Sequence, residues 1–268
     1  MSLKAAMPLV VATGLDWSPW PGDRPHLWLS RPEGKLAYSE QFESLVSFHH
    51  GASAGDIDND GDLDIVLTDG GAHEAGTPAR QPLILDNDGQ GTFRARAAGI
   101  PLSCNEVPFF SVELVDVDRD GFIDMLAGGD ERYVYEGVEY IGLLSTVFWG
   151  DGSGGFSDES RTILPEVRDW GAPLDFLVAD LDGDGVKEIV VLRTNNTEAA
   201  FYKGYRIQFL ERSSARRYAE YDTIQDENAA WLDWLRLMDV DDDGAAELIA
   251  DDRGRSLVWQ PDGTGRFR

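Results

Sequence analysis

The chain has 268 residues, of which 49 are acidic and 23 are basic, so its formal net charge is −26. This charge argues against nucleic acid or an anionic membrane as a partner, because both are bound through basic surfaces. The single cysteine, Cys104, excludes a disulfide framework. No apolar run is long enough to cross a bilayer, and the first twelve residues do not have the pattern of a secretory signal.

The first predicted elements are an apolar segment at residues 8–14 and a loose hairpin at residues 27–38 (LWLSRPEGKLAY). The apolar segment at residues 65–68 precedes a second hairpin, which begins at residue 83, by the same number of residues. The chain is therefore predicted to begin at the second strand of a four-stranded unit. Residues 1–43 form this incomplete first unit.

From residue 55 onward, one acidic motif occurs four times, as GDIDNDGDLDIVL, VDVDRDGFIDMLA, ADLDGDGVKEIVV and MDVDDDGAAELIA. A short apolar segment precedes each of the last three copies, and every copy continues into an apolar run. These flanking segments are predicted strands A and B of each unit. The first aspartates of the four copies are Asp56, Asp116, Asp180 and Asp239.

A second repeated pattern lies between the acidic motifs and predicts a hairpin of strands C and D. It combines apolar residues, a Gly/Asp turn and an aromatic residue, and it occurs at residues 83–93, 147–156 and 257–267. Residues 205–218 occupy the same place without glycine, so a different turn is expected there. We also expect a helical turn within residues 227–237.

Four antiparallel strands in each repeat of about 60 residues predict an all-β β-propeller. About five blades are represented, the first of them incomplete. We predict one domain over residues 1–268, and the missing first strand favours a piece of a larger propeller over a closed five-bladed ring.

The acidic motif has the spacing D-x-D-x-D-G-x-x-[DE], which predicts a calcium loop. Carboxylates at positions 1, 3, 5 and 9 and the carbonyl at position 7 supply oxygen ligands, and glycine at position 6 permits the sharp turn. An EF-hand is excluded because it requires Glu at position 12 and flanking helices. We therefore predict about four Ca²⁺ ions. The predicted ligands are Asp56, Asp58, Asp60, Asp62, Asp64; Asp116, Asp118, Asp120, Phe122, Asp124; Asp180, Asp182, Asp184, Val186, Glu188; Asp239, Asp241, Asp243, Ala245 and Glu247.

The four acidic motifs, each accompanied by a hairpin such as LILDNDGQGTF, resemble FG-GAP/VCBS repeats, the units of integrin-α-like propellers. This resemblance implies a calcium-stabilised propeller used for adhesion or ligand binding. It also implies an extracellular, cell-surface or periplasmic location. It names no ligand, and the five represented hairpins differ from the seven blades of integrin propellers.

Ligand binding is expected on the loops opposite the acidic motifs, because these loops differ between repeats. Among their aromatic residues, Trp17, Trp20, Tyr133 and Trp170 are the candidates for stacking on a sugar or a peptide. The predicted partner is thus a protein or a carbohydrate.

No catalytic motif is found, so the chain is predicted not to be an enzyme. The favoured function is a binding or adhesion module that calcium stabilises. Two alternatives stay open: an accessory or catalytic propeller of a carbohydrate-active enzyme, and an architectural spacer of a surface protein.

Overall fold

The computed structural model describes residues 8–11, 24–31, 34–70, 82–105, 107–135, 137–197, 199–200, 202–252 and 255–268. The chain divides into two compact units, residues 1–129 with 147–161, and residues 130–146 with 162–268. The single domain expected over residues 1–268 stays a prediction. In the described ranges, no helix is long and apolar enough to span a membrane.

The fold is all-β, as predicted, and is built from successive antiparallel sheets of the kind that form propeller blades. The only helical elements in the described part are one-turn 3₁₀ helices at Glu40–Phe42 and Leu102–Cys104. The first nine strands, of which the last follows the second acidic loop, are β1 (Pro8–Val11), β2 (His26–Ser30), β3 (Leu36–Ser39), β4 (Ala52–Gly55), β5 (Asp64–Leu67), β6 (Leu83–Asn87), β7 (Phe93–Arg96), β8 (Ser111–Val115) and β9 (Asp124–Gly128).

The remaining strands follow in the same antiparallel pattern, with one extra hairpin. They are β10 (Arg132–Tyr135), β11 (Val138–Ile141), β12 (Thr146–Phe148), β13 (Arg161–Ile163), β14 (Ala172–Ala179), β15 (Glu188–Thr194), β16 (Lys203–Ser214), β17 (Arg217–Ala230), β18 (Leu235–Met238), β19 (Glu247–Asp252) and β20 (Arg255–Trp259).

Three sheets have four strands, in the orders β4-β5-β6-β7, β13-β12-β9-β8 and β14-β15-β16-β17. The first sheet is β1-β2-β3 and the last is β18-β19-β20. Each acidic loop joins the first two strands of its sheet, which confirms the predicted order. In the first sheet, β1 pairs antiparallel with β2, and the incomplete first blade over residues 1–43 stays a prediction.

The strand that follows each of the first three acidic loops is buried along its whole length. All residues of β5, β9 and β15 are buried. After the acidic first residue, each continues with an apolar run (IVL, MLA and IVVL), as expected for a strand covered on both faces of its sheet. In the first unit, Leu27 and Leu29 pack with Ile65 and Leu67.

The second unit has its own apolar core. It lies between the four-stranded sheet β14–β17 and the sheet β18–β20. Its buried side chains include Val190, Ile207, Phe209, Leu248 and Phe267, and the rings of Phe209 and Phe267 stack at a centroid distance of 5.9 Å.

Three details differ from the sequence predictions. Residues 227–237 contain no helical turn, because β17 continues to Ala230 in register with β16, and β18 begins at Leu235. The hairpin predicted at 147–156 closes later, at β13, because Phe156 donates its backbone N–H to Gly99 O at 2.7 Å instead. The loop face opposite the acidic motifs, for which no strands were predicted, carries the extra hairpin β10–β11.

Candidate metal centres

Each acidic loop is folded around the carboxylate of its first aspartate. The N–H of the glycine at position 6 donates to Oδ2 of that aspartate in all four copies. These N–O distances are 3.0 Å for Gly61–Asp56, Gly121–Asp116 and Gly185–Asp180, and 2.9 Å for Gly244–Asp239. The repeated bond holds the first predicted ligand at the centre of the turn.

Backbone conformation explains the glycine at position 6. Its φ is +94° at Gly61, +91° at Gly121, +90° at Gly185 and +91° at Gly244, a region that glycine enters without steric cost. Position 4 is left-handed too, with φ of +60° at Asn59, +62° at Arg119, +77° at Gly183 and +60° at Asp242. Two left-handed residues, separated by one position, fold each loop into a tight turn.

The aspartate at position 5 tightens the turn further. Its Oδ1 accepts the N–H of position 7 in every loop, at 2.9 Å in the first, 3.0 Å in the second, 2.6 Å in the third and 2.8 Å in the fourth. The predicted position-7 carbonyl ligands belong to these same residues, and their role stays a prediction.

The acidic residue at position 9 is the first residue of the next strand and is buried in every copy. In the last three loops its carboxylate accepts the N–H of position 2, from Val117 at 2.8 Å, Leu181 at 2.7 Å and Val240 at 2.7 Å. In the first two loops it also accepts an N–H of the third strand region, from Asn87 and Gly150 at 2.9 Å. Position 9 thus ties the loop to its sheet.

The carboxylates converge as a cation site requires. In the second, third and fourth loops, one oxygen from each of positions 1, 3 and 9 lies within 4.8 Å of the others, and in the first loop positions 1, 3 and 5 do so. In the fourth loop Glu247 is fully buried, and its Oε1 meets no hydrogen-bond donor in the described structure. A buried carboxylate oxygen without a donor is costly unless a cation faces it. The donor set therefore fits a hard cation with oxygen ligands.

Burial raises the pKa of the position-9 carboxyl groups in the first three loops. The pKa of Asp64 rises to about 6, that of Asp124 to about 7 and that of Glu188 to about 6, each mainly because burial disfavours the charged form. Neighbouring carboxylates of the same loop raise these pKa values further, and backbone N–H donors oppose the rise. A bound cation would reverse this balance by stabilising the ionised form.

Of the four aromatic residues predicted to bind a ligand, Trp170 is the one whose side chain the structure describes. Trp17 and Trp20 lie outside the described residues. Tyr133 is in β10, and its side chain is outside the description. Trp170 is buried, with 7% of its surface exposed, so its ring does not offer the open stacking face that the sequence suggested. Its carbonyl instead accepts a hydrogen bond from the buried guanidinium of Arg193, at 3.4 Å.

Sequence reasoning missed a buried polar group in the second unit. Arg193 and Glu131 form an ion pair at 2.9 Å, with 0% and 1% of their side chains exposed. Arg193 also donates to Gln208 at 2.9 Å. One feature of the sequence could have indicated this pair: Arg193 directly follows EIVVL, the buried run of β15.

Residues 130–191 match the family model of the FG-GAP-like repeat. The matched segment includes the third acidic loop, residues 180–188, and the strand that follows it. The FG-GAP resemblance that the sequence motifs carried is thereby confirmed. No curated protein matches the sequence.

Solved structures offer distant likenesses to this chain. One, described as the specific recognition of non-reducing terminal N-acetylglucosamine by an Agrocybe aegerita lectin, has a TM-score of 0.43 and 16% identity, covering 99% of this chain and 79% of that one. The Photorhabdus luminescens Tc holotoxin pore has a TM-score of 0.47 and 18% identity, covering 99% and 11%. The V. cholerae biofilm matrix protein Bap1 has a TM-score of 0.39 and 19% identity, covering 87% and 41%.

Proposed function

We propose that this chain is a calcium-stabilised, non-catalytic binding module. In this proposal four Ca²⁺ ions occupy the acidic loops, and a protein or a glycan binds to the loops on the opposite side of the sheets. The location that suits this role is extracellular, on the cell surface or in the periplasm, where free calcium is abundant. The observation that supports this proposal most directly is a loop with inward-turned carboxylates, which occurs in four copies. One copy buries an oxygen of Glu247 that meets no hydrogen-bond donor in the described structure.

The chemistry of the loops supports calcium over magnesium. Each loop offers carboxylate oxygens on a flexible turn, whereas Mg²⁺ requires a near-ideal octahedron and keeps several waters. Four ions would change the formal net charge from −26 to −26 + 8 = −18. The role assigned to the ions is structural, because each loop connects the first two strands of its sheet.

The non-catalytic part of the proposal rests on how the carboxylates are used. Within the described residues, the groups of three acidic side chains whose oxygens lie within 4.8 Å of one another are those of the four loops, which the proposal assigns to metal ions. Incubation of the calcium-loaded protein with soluble polysaccharides should release no reducing sugar, and release that persists in a repurified sample would overturn this part.

Thermal unfolding tests the calcium scaffold. The melting temperature should rise strongly with Ca²⁺ and only weakly with Mg²⁺, both relative to EDTA. By mass action, each site contributes about 2.7 kcal/mol when free calcium is one hundred times its Kd. An equal melting temperature in Ca²⁺ and EDTA would contradict the proposal.

The fourth loop offers a matched pair of variants. Asp241 is a predicted ligand at position 3, whereas Asp242 at position 4 is exposed and left-handed, a conformation that asparagine tolerates well. Asp241→Asn should remove one equivalent of bound calcium in calorimetry. Asp242→Asn removes the same charge and should keep the stoichiometry. Equal stoichiometry in both variants would exclude the assignment of this loop.

A further inference from the structure

A pocket of about 320 Å³ lies in the first unit, beside the first acidic loop. Its lining comes from the end of β7 with the residues after it, and from the segment between β12 and β13. Gly154 is part of the wall, and its N–H donates to the carbonyl of Ile57 in the first acidic loop at 3.1 Å. The pocket therefore lies on the same side of the sheets as that loop.

The pocket is found where a connection departs from the repeated hairpin. Residues 88–92 join β6 to β7, whereas the longer segment 149–160 joins β12 to β13. This segment turns away from its own sheet, because Phe156 donates its N–H to the carbonyl of Gly99 at 2.7 Å. Segments that differ from a repeated scaffold are where binding sites are concentrated.

The pocket combines an apolar floor with hydroxyl groups. Trp149 and Phe156 line it and are 4% and 7% exposed, so they form its floor. Ser157 and Ser160 also line it and are half-buried, and in the part of the chain that the structure describes their hydroxyls make no hydrogen bond. A hydroxyl can both donate and accept, so this lining favours a ligand that carries hydroxyl groups itself.

The charges around the pocket favour a neutral ligand. Arg96 pairs with Asp86 at 2.7 Å and also donates to two backbone carbonyls, so its charge is compensated. Asp151 is exposed, and the hydroxyl and the N–H of Ser153 both bond its carboxylate and lower its pKa. An ionised carboxylate accepts hydrogen bonds from hydroxyl groups and repels an anionic ligand.

We propose that this pocket binds one pyranose unit of a neutral glycan. A pyranose ring has an apolar face of C–H groups and a rim of hydroxyl groups, which matches the apolar floor and the polar rim of the pocket. The volume is at the lower end of the range of roughly 300–1,000 Å³ that is typical of small-molecule sites. The site is additional to the opposite loops of the proposed function and does not depend on them.

NMR titration of the whole chain in saturating Ca²⁺ tests the site. The probes are the methyl pyranosides of glucose, galactose, mannose and N-acetylglucosamine at millimolar concentrations. At least one of them should shift the backbone amide signals of residues 149–160 in a saturable way. Sorbitol carries similar hydroxyl groups on an open chain without a ring face, so it should not produce these shifts.

Two aspartates in equivalent turns give a matched pair of variants. Asp151 Oδ1 accepts the N–H of Ser153 at 2.9 Å, and Asp88 Oδ1 accepts the N–H of Gln90 at 2.9 Å in the hairpin β6–β7. Both are exposed, but Asp88 lies outside the pocket. Asp151→Asn should weaken pyranoside binding roughly fivefold, because a charge-assisted hydrogen bond is lost. Asp88→Asn should change it less than about twofold.

The two serine hydroxyls give a second test. The double variant Ser157→Ala with Ser160→Ala should weaken binding roughly tenfold, because two hydrogen bonds to the ligand are lost. Its melting temperature in Ca²⁺ should equal that of the parent, since these hydroxyls have no partner within the described residues. Unchanged affinity in this variant would contradict the proposed contacts.

The outcomes separate this site from the calcium scaffold. Shifts at residues 149–160 that Asp151→Asn weakens and Asp88→Asn does not would support the site. The site is overturned if no pyranoside shifts these signals in the calcium-stabilised chain, if shifts occur at other residues only, or if the two aspartate variants lose affinity equally. None of these results affects the scaffold, which an absent calcium shift in melting temperature overturns alone.

Discussion

At the scale of single residues, burial of carboxyl groups is the dominant feature of this chain. Strands in a protein interior are usually hydrophobic. Here, however, every strand after an acidic loop begins with a buried Asp or Glu. Such residues are accepted in a protein interior only when hydrogen bonds or a cation satisfy them. Their protonation therefore reports whether the loops hold an ion.

The pH dependence of stability follows from these groups. Without a bound ion, burial raises the pKa of Asp124 to about 7, above the ordinary value of about 3.8 for an aspartate. A raised folded-state pKa means that the folded state retains the proton, so stability is lost as pH rises from about 4 to about 7. Calcium competes with that proton, so the calcium-induced rise in melting temperature should be larger at pH 8 than at pH 5.

Melting curves at these two pH values, with and without Ca²⁺, check this expectation. In Asp124→Asn, the fall in stability of the EDTA form with pH should be shallower than in the parent, because one of the titrating groups is gone. A calcium shift of the same size at both pH values would contradict the argument.

The Arg193–Glu131 pair gives a second prediction at this scale. Both side chains are fully buried, so removal of one leaves the other charge without compensation. Arg193→Met should lower the free energy of unfolding by about 3–5 kcal/mol. The double variant Arg193→Met with Glu131→Gln should recover much of this loss, because neither charge remains. Urea denaturation of both variants measures the difference, and equal losses would show that packing rather than charge is responsible.

At the scale of elements, the hairpin β16–β17 shows how a turn forms without glycine. Ser214 pairs with Arg217, so the turn contains only Ala215 and Arg216, and Arg216 has a φ of +54°. The sequence correctly indicated an unusual turn there. The long pairing of the two strands holds Arg216 in a conformation that glycine adopts more readily.

Glycine substitutions at the two residues of this turn should change the free energy of unfolding in opposite directions. Arg216→Gly should raise the free energy of unfolding by up to about 1 kcal/mol, because glycine has no steric penalty at positive φ. Ala215→Gly is the control and should lower it by a similar amount, since the added freedom of the unfolded chain is not offset there. Chemical denaturation of the two variants checks both signs, and stabilisation by both would exclude this explanation.

At the scale of the whole molecule, the charge of −26 opposes the compact state through self-repulsion. Monovalent salt screens such repulsion, with a Debye length of about 10 Å at 0.1 M. Raising NaCl should therefore increase the melting temperature of the EDTA form. The calcium-loaded form carries fewer net negative charges and should respond less. Melting curves over a salt series compare the two forms, and an equal response would show that the acidic loops are not the origin of the repulsion.

The amino-acid sequence by itself determined the repeating part of this protein. The acidic loops, the strands that leave them and the FG-GAP resemblance were all readable, because the loop depends on local geometry: aspartates at fixed spacing and a glycine that must be left-handed. Strands β8 and β18 lie where the sequence predicted the first strand of a unit, since each is an apolar segment directly before such a loop.

Only the tertiary structure decided the parts that do not repeat. The hairpin β10–β11 has no counterpart among the repeated hairpins. The burial of Trp170 and the meeting of Tyr202 with Trp231 depend on segments distant in sequence. No periodic pattern marks Asp130 as a buried carboxylate, because its burial comes from the return of the chain at Gly142 and not from its neighbours. Local spacing fixes where an ion fits, whereas long-range packing fixes which side chains a ligand can reach.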